Sequence, residues 1–592
     1  MNLELYKIII NEFNNSNFKE SYNLAIKLNK DQYDEKILKI LTISSFKIQN
    51  YIDAIKYGLK LYTSKKIEND KQILNILGVS YSINKDYENG NFYLEKFLLI
   101  DPKNKSVKYN LALNYFEQKK YISAEKILSE FISKQIEFEN VELIYGMIHS
   151  ELKNYNKAIE VFKNLINRKK SLADVFYNLG ITYQKINNYS LSIKYLKKAI
   201  EENNTNYFFF NSLGVSQQKL FNYTEAEKNY NLAITLNKNY SNAFSNLGLL
   251  KKRQGFFDDA IKCFDQALNI EPKNSQILYN KSISLLEKGN YKEGLNLYKW
   301  RQNGKYAKNN HLNLDINTIK DKKILITCDQ GLGDIILLSR YVLLLLNYNA
   351  KVVFQIPKSL KVLFKNFNKE IYLTSEPVLK NDFNYIFSLG DLLKIFEVNE
   401  LNTQKKDSYI NIDYKWIEKW ESRIDKSKFN IGIAWQGKEG TSLDEGRSFK
   451  LNNFQKISKM KNLQLISLQK NDGLDQIKDF SKKNKIINFD NELDIDAKFM
   501  DTAGIMKNLD LIITSDTSIV HLAGALGVST WLLVQKYPHW YWRNINEKSI
   551  WYESVKIIRQ TENHNWEKLF LEVELKLSDI LKKNGNFKNI LK

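Results

Sequence analysis

Cysteine is almost absent from the sequence: Cys263 and Cys328 are the only two in 592 residues. Two thiols build neither a disulfide framework nor the commoner cysteine-rich zinc sites, which excludes a stapled secreted scaffold and points to the reducing cytoplasm. Long apolar runs are missing as well. The most apolar stretch, Ile335 to Leu346, is interrupted by Ser339-Arg340 and is too short to cross a bilayer, so no membrane span is expected. The first residues, Met1-Asn-Leu-Glu-Leu-Tyr6, lack a basic segment followed by an uninterrupted apolar one, and no secretory signal is read there. The formal net charge of +21 comes without an arginine-rich stripe or a tract of five or six like charges. Its source is lysine scattered among Asn and Ile, which describes a solvated surface rather than a nucleic-acid groove; no nucleic acid is expected as partner, while a small polyanion stays open. With 43% hydrophobic residues the chain is too apolar to be disordered and too long for one core, so several domains, or a repeat array plus domains, are expected.

What is present in the first half is a period. Tyr177-Asn-Leu-Gly-Ile returns as Asn211-Ser-Leu-Gly-Val and Ser245-Asn-Leu-Gly-Leu, which places Gly180, Gly214 and Gly248 34 residues apart. Steps of 34 in either direction land on Gly146, Ala112, Gly78 and Ser282, and two further units fit at Thr42 and Ile9. Nine positions after each of these stands an aromatic residue (Phe18, Tyr51, Tyr87, Tyr121, Tyr155, Tyr189, Tyr223, Phe257, Tyr291), and three later a small one. A small residue lets a partner helix approach, and the aromatic after the turn is expected to fill the space between the two. Pro102 and Pro272, each 24 past the small residue, stop the second helix. Period and pattern match the tetratricopeptide repeat, with about nine units over residues 1–305.

Such arrays stack into a superhelix whose concave face binds extended partners. Asn110, Asn178, Asn246 and Asn280 each stand two residues before the small position. They resemble the asparagine ladder of O-linked N-acetylglucosamine transferases, where amides that donate and accept together hold a peptide main chain. These four are the candidate partner-binding residues, and the abundance of Asn in the sequence is the competing explanation.

Past Trp300 the period ends, and the polar stretch from Arg301 to Lys320 reads as a boundary, with a linker at 306–320. Short β-rich runs then alternate with helical segments, beginning at Lys323, Lys351 and Asn384, and after a linker helix near Tyr414 to Ser422 they restart at Asn430, Leu463, Leu509 and Ser529. Alternation of this kind implies βαβ units and parallel sheets, here two Rossmann-like lobes at 321–425 and 426–592. Ligands of such sheets sit at the carboxyl ends of strands.

Three loops at those ends carry candidate chemistry. Asp329-Gln330-Gly331-Leu332-Gly333-Asp334 opens an apolar helix, and two glycines let a backbone approach a ligand. The third glycine of a dinucleotide fingerprint is Ile336, and no acidic residue follows the second strand, so NAD is disfavoured. Asp334 reads as an N-cap or as a general base held over a cleft. Ser515-Asp516-Thr517-Ser518-Ile519-Val520-His521 opens a helix of small residues whose amides favour an anion, with His521 one turn after Thr517. Trp435-Gln436-Gly437-Lys438 with Arg447-Ser448 gives a third loop with two cations. Asp494-Ile-Asp496 reads as a solvated loop rather than a metal-binding pair, and the aromatic tract Tyr537-Pro-His-Trp-Tyr-Trp-Arg543 as packing between lobes, with a border of the acceptor or base as the alternative.

Gln330-Gly-Leu-Gly-Asp334, Trp435-Gln-Gly437, Arg447-Ser448, Asp501-Thr-Ala503, the segment Ser515 to Gly527 and Trp540-Tyr-Trp-Arg543 resemble bacterial tetratricopeptide-repeat glycosyltransferases. Their catalytic part is similar to the ADP-heptose lipopolysaccharide heptosyltransferases (glycosyltransferase family 9). The resemblance implies an α/β GT-B region after the all-α array, with the acceptor on the first lobe and the nucleotide sugar on the second. It implies inverting transfer from a nucleotide-diphosphate sugar to a protein or glycan hydroxyl, without a metal or other cofactor. The base falls on Asp334 and the phosphate contacts on Asp516, Thr517 and His521; with Gly331, Gly333, Gly437, Arg447, Ser448 and Ser518 from the loops read above, these are the candidate substrate-binding residues. Ser518 departs from the glycine common in that family. The competing reading is a non-catalytic adaptor built on the array.

Overall fold

The computed structural model describes residues 3–28, 34–63, 70–136, 138, 140–169, 172–301, 315–403, 408–439, 446–489, 491–495, 497–543 and 547–582. Eighteen helices among them, α1 (Leu3–Asn14) to α18 (Tyr291–Tyr298), alternate as nine antiparallel-type pairs in register with the sequence period. The chain divides into two compact units, 1–238 and 239–592. The division falls inside the array because Ile283, Leu286, Tyr291, Leu295 and Tyr298 belong to the hydrophobic core of the α/β part.

Each pair packs through its small residue, although the partner differs from the one the spacing suggests. A Cβ on Gly78, Gly146, Gly180, Gly214 or Gly248 would stand 2.5–2.8 Å from Leu94, Phe162, Leu196, Tyr230 or Phe264 respectively. That side chain lies sixteen positions on, in the middle of the second helix. The aromatic nine positions on is instead the first residue of that helix and covers the end of the preceding one, as in the Phe46–Tyr51 and Phe116–Tyr121 contacts. Geometry explains the difference: a residue at the start of the second helix is beside the turn, whereas the point opposite the small residue is about two helical turns further along. Gly146→Ala is expected to cost about 1–3 kcal/mol through overpacking against Phe162. This exceeds the gain of about 1 kcal/mol that alanine brings to a helix interior, so a lower urea midpoint by helical circular dichroism is the expected result.

One residue between the two helices of every pair is left-handed: Ser16, Gln49, Lys85, Lys119, Lys153, Asn187, Phe221, Gly255 and Gly289. Only the last two are glycine.

The α/β part holds two parallel sheets. In the first, β1 (Lys323–Thr327), β2 (Lys351–Gln355), β3 (Tyr372–Thr374) and β4 (Tyr385–Ser388) lie in the order β3-β2-β1-β4. In the second, β5 (Phe429–Ala434), β6 (Leu463–Ser467), β7 (Leu511–Thr514), β8 (Thr530–Val534) and β9 (Val555–Arg559) lie in the order β6-β5-β7-β8-β9. The sequence signal misses β3 and β9, one edge strand of each sheet. Residues of the second sheet alternate between two cores: Phe429, Ile431, Ile433, Leu511, Ile513, Trp531 and Leu533 face one, and Ala434, Ile512, Leu532 and Val534 the other. Burial on both faces explains why these strands read as continuous apolar runs. Strand order reverses between β1 and β4 and between β5 and β7, so the crevices that take ligands in open parallel sheets lie beyond the carboxyl ends of β1 and β5. Among the described residues no helix is long and apolar enough to cross a membrane.

Candidate functional site

The chain leaves β1 into Cys328-Asp329-Gln330-Gly331 and enters helix α19 (Leu332–Leu344). Gly331 is the N-cap, in extended conformation. Asp334 is therefore not the capping residue but the third helical one, and its carboxylate accepts from the Gly331 N–H at 3.2 Å. Its other oxygen accepts from the Tyr541 hydroxyl at 3.0 Å. Burial pushes the Asp334 carboxyl up to about 6; the Tyr541 and Gly331 hydrogen bonds pull it down, while the charges of Asp516 and Asp329 push it further up.

Asp329 is held elsewhere. Arg301, the first residue of the stretch read as a polar boundary, is 3% exposed and lies at the end of the array. Its Nε donates to Asp329 at 2.5 Å, its Nη2 to Asp391 at 2.7 Å and to the Ser388 hydroxyl, and its Nη1 to the Tyr298 carbonyl at 3.1 Å. One guanidinium thus spans the carboxyl ends of β1 and β4, where the strand order reverses. The remaining linker residues 306–314 lie outside the described residues, and Asp315 caps a short turn at Ile316–Ile319.

The second helix start belongs to α24 (Ser518–Leu526), which follows β7. Thr517 is its N-cap, with the hydroxyl accepting from the Ile519 N–H at 3.3 Å. The starts of α19 and α24 are in contact: a Cβ on Gly333 would stand 3.2 Å from the Ser518 Cα and 2.9 Å from the His521 ring. Asp516, half-buried just ahead of Thr517, has its carboxyl pushed up by burial, with Arg447 and the Trp542 side chain acting in the opposite direction. His521 is 5% exposed, shares a hydrogen bond with the Tyr552 hydroxyl through Nδ1 at 3.2 Å and stacks on Trp542. Burial, assisted by Arg340 and His539, lowers its pKa to about 3, so the ring is neutral at physiological pH.

After β5, Trp435 is fully buried and donates through Nε1 to the Gly473 carbonyl at 3.2 Å, which makes it a core anchor. Gly437 donates to the Ser448 hydroxyl at 3.0 Å, and a Cβ there would stand 2.6 Å from the Arg447 guanidinium. Arg447 thus lies at the carboxyl end of β5, and its charge is felt by the Asp516 carboxyl that follows β7. Asp494 is not solvated: it accepts from the Thr502 N–H and hydroxyl at the start of helix α23 (Met500–Met506). Asp490 and Asp496 lie outside the described residues. Asp501 accepts from Trp420, Lys419 and the Asp494 N–H, a structural role.

The tract after β8 packs as read from the sequence, with Trp540, Tyr541 and Trp542 buried. Two partners were not legible. Tyr541 bonds Asp334, and the tract rests on the last two array turns. A Cβ on Gly255 would stand 2.2 Å from the Tyr537 ring, and one on Gly289 2.7 Å from the Arg543 guanidinium. Arg543 also donates to the carbonyls of Glu287 and Lys288, and Trp540 lies edge-on to Tyr291 and Tyr298. Glycine at these two turns leaves room for the tract.

The four asparagines fall on the first helix of their pairs and are half-buried. Asn178 donates to the Asp174 carbonyl of its own helix, and Asn280 accepts from Gln276.

Five stretches of the chain, 72–104, 143–171, 173–206, 209–240 and 241–274, match family models described as tetratricopeptide repeat. The chain carries tetratricopeptide repeats. No curated protein matches the sequence. Among solved structures it is similar to MamA, with 23% identity over 28% of this chain and 95% of that one and a TM-score of 0.26. A tetratricopeptide repeat protein from Parabacteroides merdae shares 13% identity over 42% of this chain and 97% of that one, with a TM-score of 0.35. PilF from Pseudomonas aeruginosa shares 19% identity over 34% and 92%, with a TM-score of 0.30. Scores of this size carry no argument about function.

Proposed function

We propose that the chain is a glycosyltransferase of GT-B type, which moves a sugar from a nucleotide-diphosphate sugar to a protein or glycan hydroxyl with inversion and without a metal. The observation that carries this reading is the meeting of α19 and α24 at Gly333 and Ser518, which brings a half-buried carboxylate of raised pKa beside a helix start suited to a diphosphate. Ionised Asp334 takes the proton of the acceptor hydroxyl, the acceptor oxygen attacks the anomeric carbon, and the nucleoside diphosphate leaves with the bonding pair. Amides at the start of α24 and the Arg447 guanidinium take up the leaving charge. His521, being neutral, holds the start of α24 against Gly333 rather than pairing with the anion. The array supplies a protein-binding surface, on which the four asparagines are the residues proposed to hold an acceptor main chain.

The test is release of nucleoside diphosphate from UDP, ADP, GDP and dTDP sugars, followed against pH. A base is active when ionised, so kcat/KM is expected to fall as the pH drops through about 6, the value at which Asp334 titrates, rather than near 4. No turnover of any donor by the wild-type chain would leave only the adaptor reading, which rests on the repeats.

A further inference from the structure

The loop after β8 reaches both the array and the carboxylate of Asp334. We propose that Tyr541 is the positioning residue of Asp334, and that the last two repeats hold it in place through the Gly255 and Gly289 turns. This rests on the reading of Asp334 as the base.

Geometry supplies each link. The Tyr541 hydroxyl donates to Asp334 at 3.0 Å, and the Trp551 indole donates to the Tyr541 carbonyl at 2.8 Å, fixing the backbone from below. Tyr537, four residues earlier, lies against Gly255 and edge-on to Phe257, and Arg543, two residues later, lies against Gly289. The tyrosine is thus clamped on both sides by array turns whose missing side chains leave the necessary space. The seven earlier turns place residues with side chains at φ between 59° and 64°, whereas Gly255 and Gly289 stand at 82° and 97°, so backbone conformation and the space taken by Tyr537 and Arg543 both favour glycine at the last two.

The groups that act on Asp334 come from several elements. Asp329 precedes α19, Asp516 precedes α24, and the buried tyrosines Tyr279, from α17 (Ser275–Lys288), and Tyr298, from α18, both feel its charge. His521 adjoins through Gly333 and is neutral. Among these five tyrosine and carboxyl neighbours, Tyr541 included, Tyr541 is the one shown to donate a hydrogen bond to the carboxylate, which favours its ionised form.

The experiment is a pH titration of the full chain by difference infrared spectroscopy, reading the carboxyl band that Asp334→Asn removes. Tyr541→Phe deletes the hydroxyl and keeps the ring, and is expected to move the midpoint upward by about one pH unit, as loss of a hydrogen bond to a charged group requires. Gly289→Ala pushes the Arg543 guanidinium and is expected to move the same band in the same direction by less. An unmoved midpoint in Tyr541→Phe overturns the positioning role, and an unmoved one in Gly289→Ala overturns the part assigned to the repeats. The spectroscopic midpoint needs no turnover: a wild-type chain that turns over no donor but shows the Tyr541 effect would refute the transferase reading and leave the contact standing.

Discussion

Asp334→Asn is expected to lower sugar transfer by about 10²–10⁴-fold, the usual contribution of a general base, while the protein remains folded and binds donor. Asparagine keeps the shape of the side chain and an oxygen able to accept from Gly331 or Tyr541, the two partners seen here. It has no charge with which to remove a proton. Stability should move the other way. The folded pKa of about 6 lies above that of an unfolded aspartate, so the folded state binds more protons in between and stability declines as the pH rises from about 4 to about 6. Above that window the ionised carboxylate is a standing cost of the fold, and asparagine removes it. Activity lost with a thermal midpoint at pH 7.5 equal to or above wild type is the expected pair of results. Transfer unchanged by the substitution would remove Asp334 from the mechanism.

The second large effect is expected at Arg301. Its guanidinium is almost wholly enclosed with two carboxylates, Asp329 and Asp391, whose side chains have no exposure. Burial works against the arginine's charge, but both carboxylates hold its proton more firmly than usual. Arg301→Ala leaves Asp329 and Asp391 buried without their cation, held only by the Gly390 and Ser388 backbone N–H groups among the described residues. Breaking a buried pair on one side typically costs about 3–5 kcal/mol. All nine tryptophans lie at or after Trp300, so tryptophan fluorescence in urea follows unit 239–592 and not the earlier repeats. A fall in that midpoint is expected, with a much smaller fall when Arg301→Ala is combined with Asp329→Asn and Asp391→Asn, since the uncompensated charge has gone. Equal falls in the two backgrounds would show that Arg301 acts by packing alone.

Much of this was legible in the sequence, for reasons that differ by element. The repeats are written nine times, so chance at one unit is overruled by the others; the strand runs are apolar because both faces are buried. The candidate loops stand out because parallel sheets place ligands at the carboxyl ends of strands. What stayed hidden depends on contacts far apart in the chain. Arg301 is an arginine in a polar stretch until Asp329 and Asp391 close on it, 28 and 90 residues away. Tyr541 stands 207 residues from Asp334, and no local pattern marks which ring of an aromatic tract points to a carboxylate. His521 was found by its spacing, but its partners, Tyr552 and Trp542, decide its charge. β3 is too short, at three residues, to leave a periodic signal.

The glycines at the last two turns give the array a fixed end. Each helix pair of a repeat array meets its neighbours along the stack, and the seven earlier turns carry side chains where the last two have none. On the proposed reading, whole 34-residue units gained or lost ahead of residue 239 would change the length of partner held and leave the two glycine-bearing pairs as they are. The reach of the array and the reaction proposed at Asp334 would then diverge independently during evolution, with the glycine-bearing pairs marking where that freedom stops.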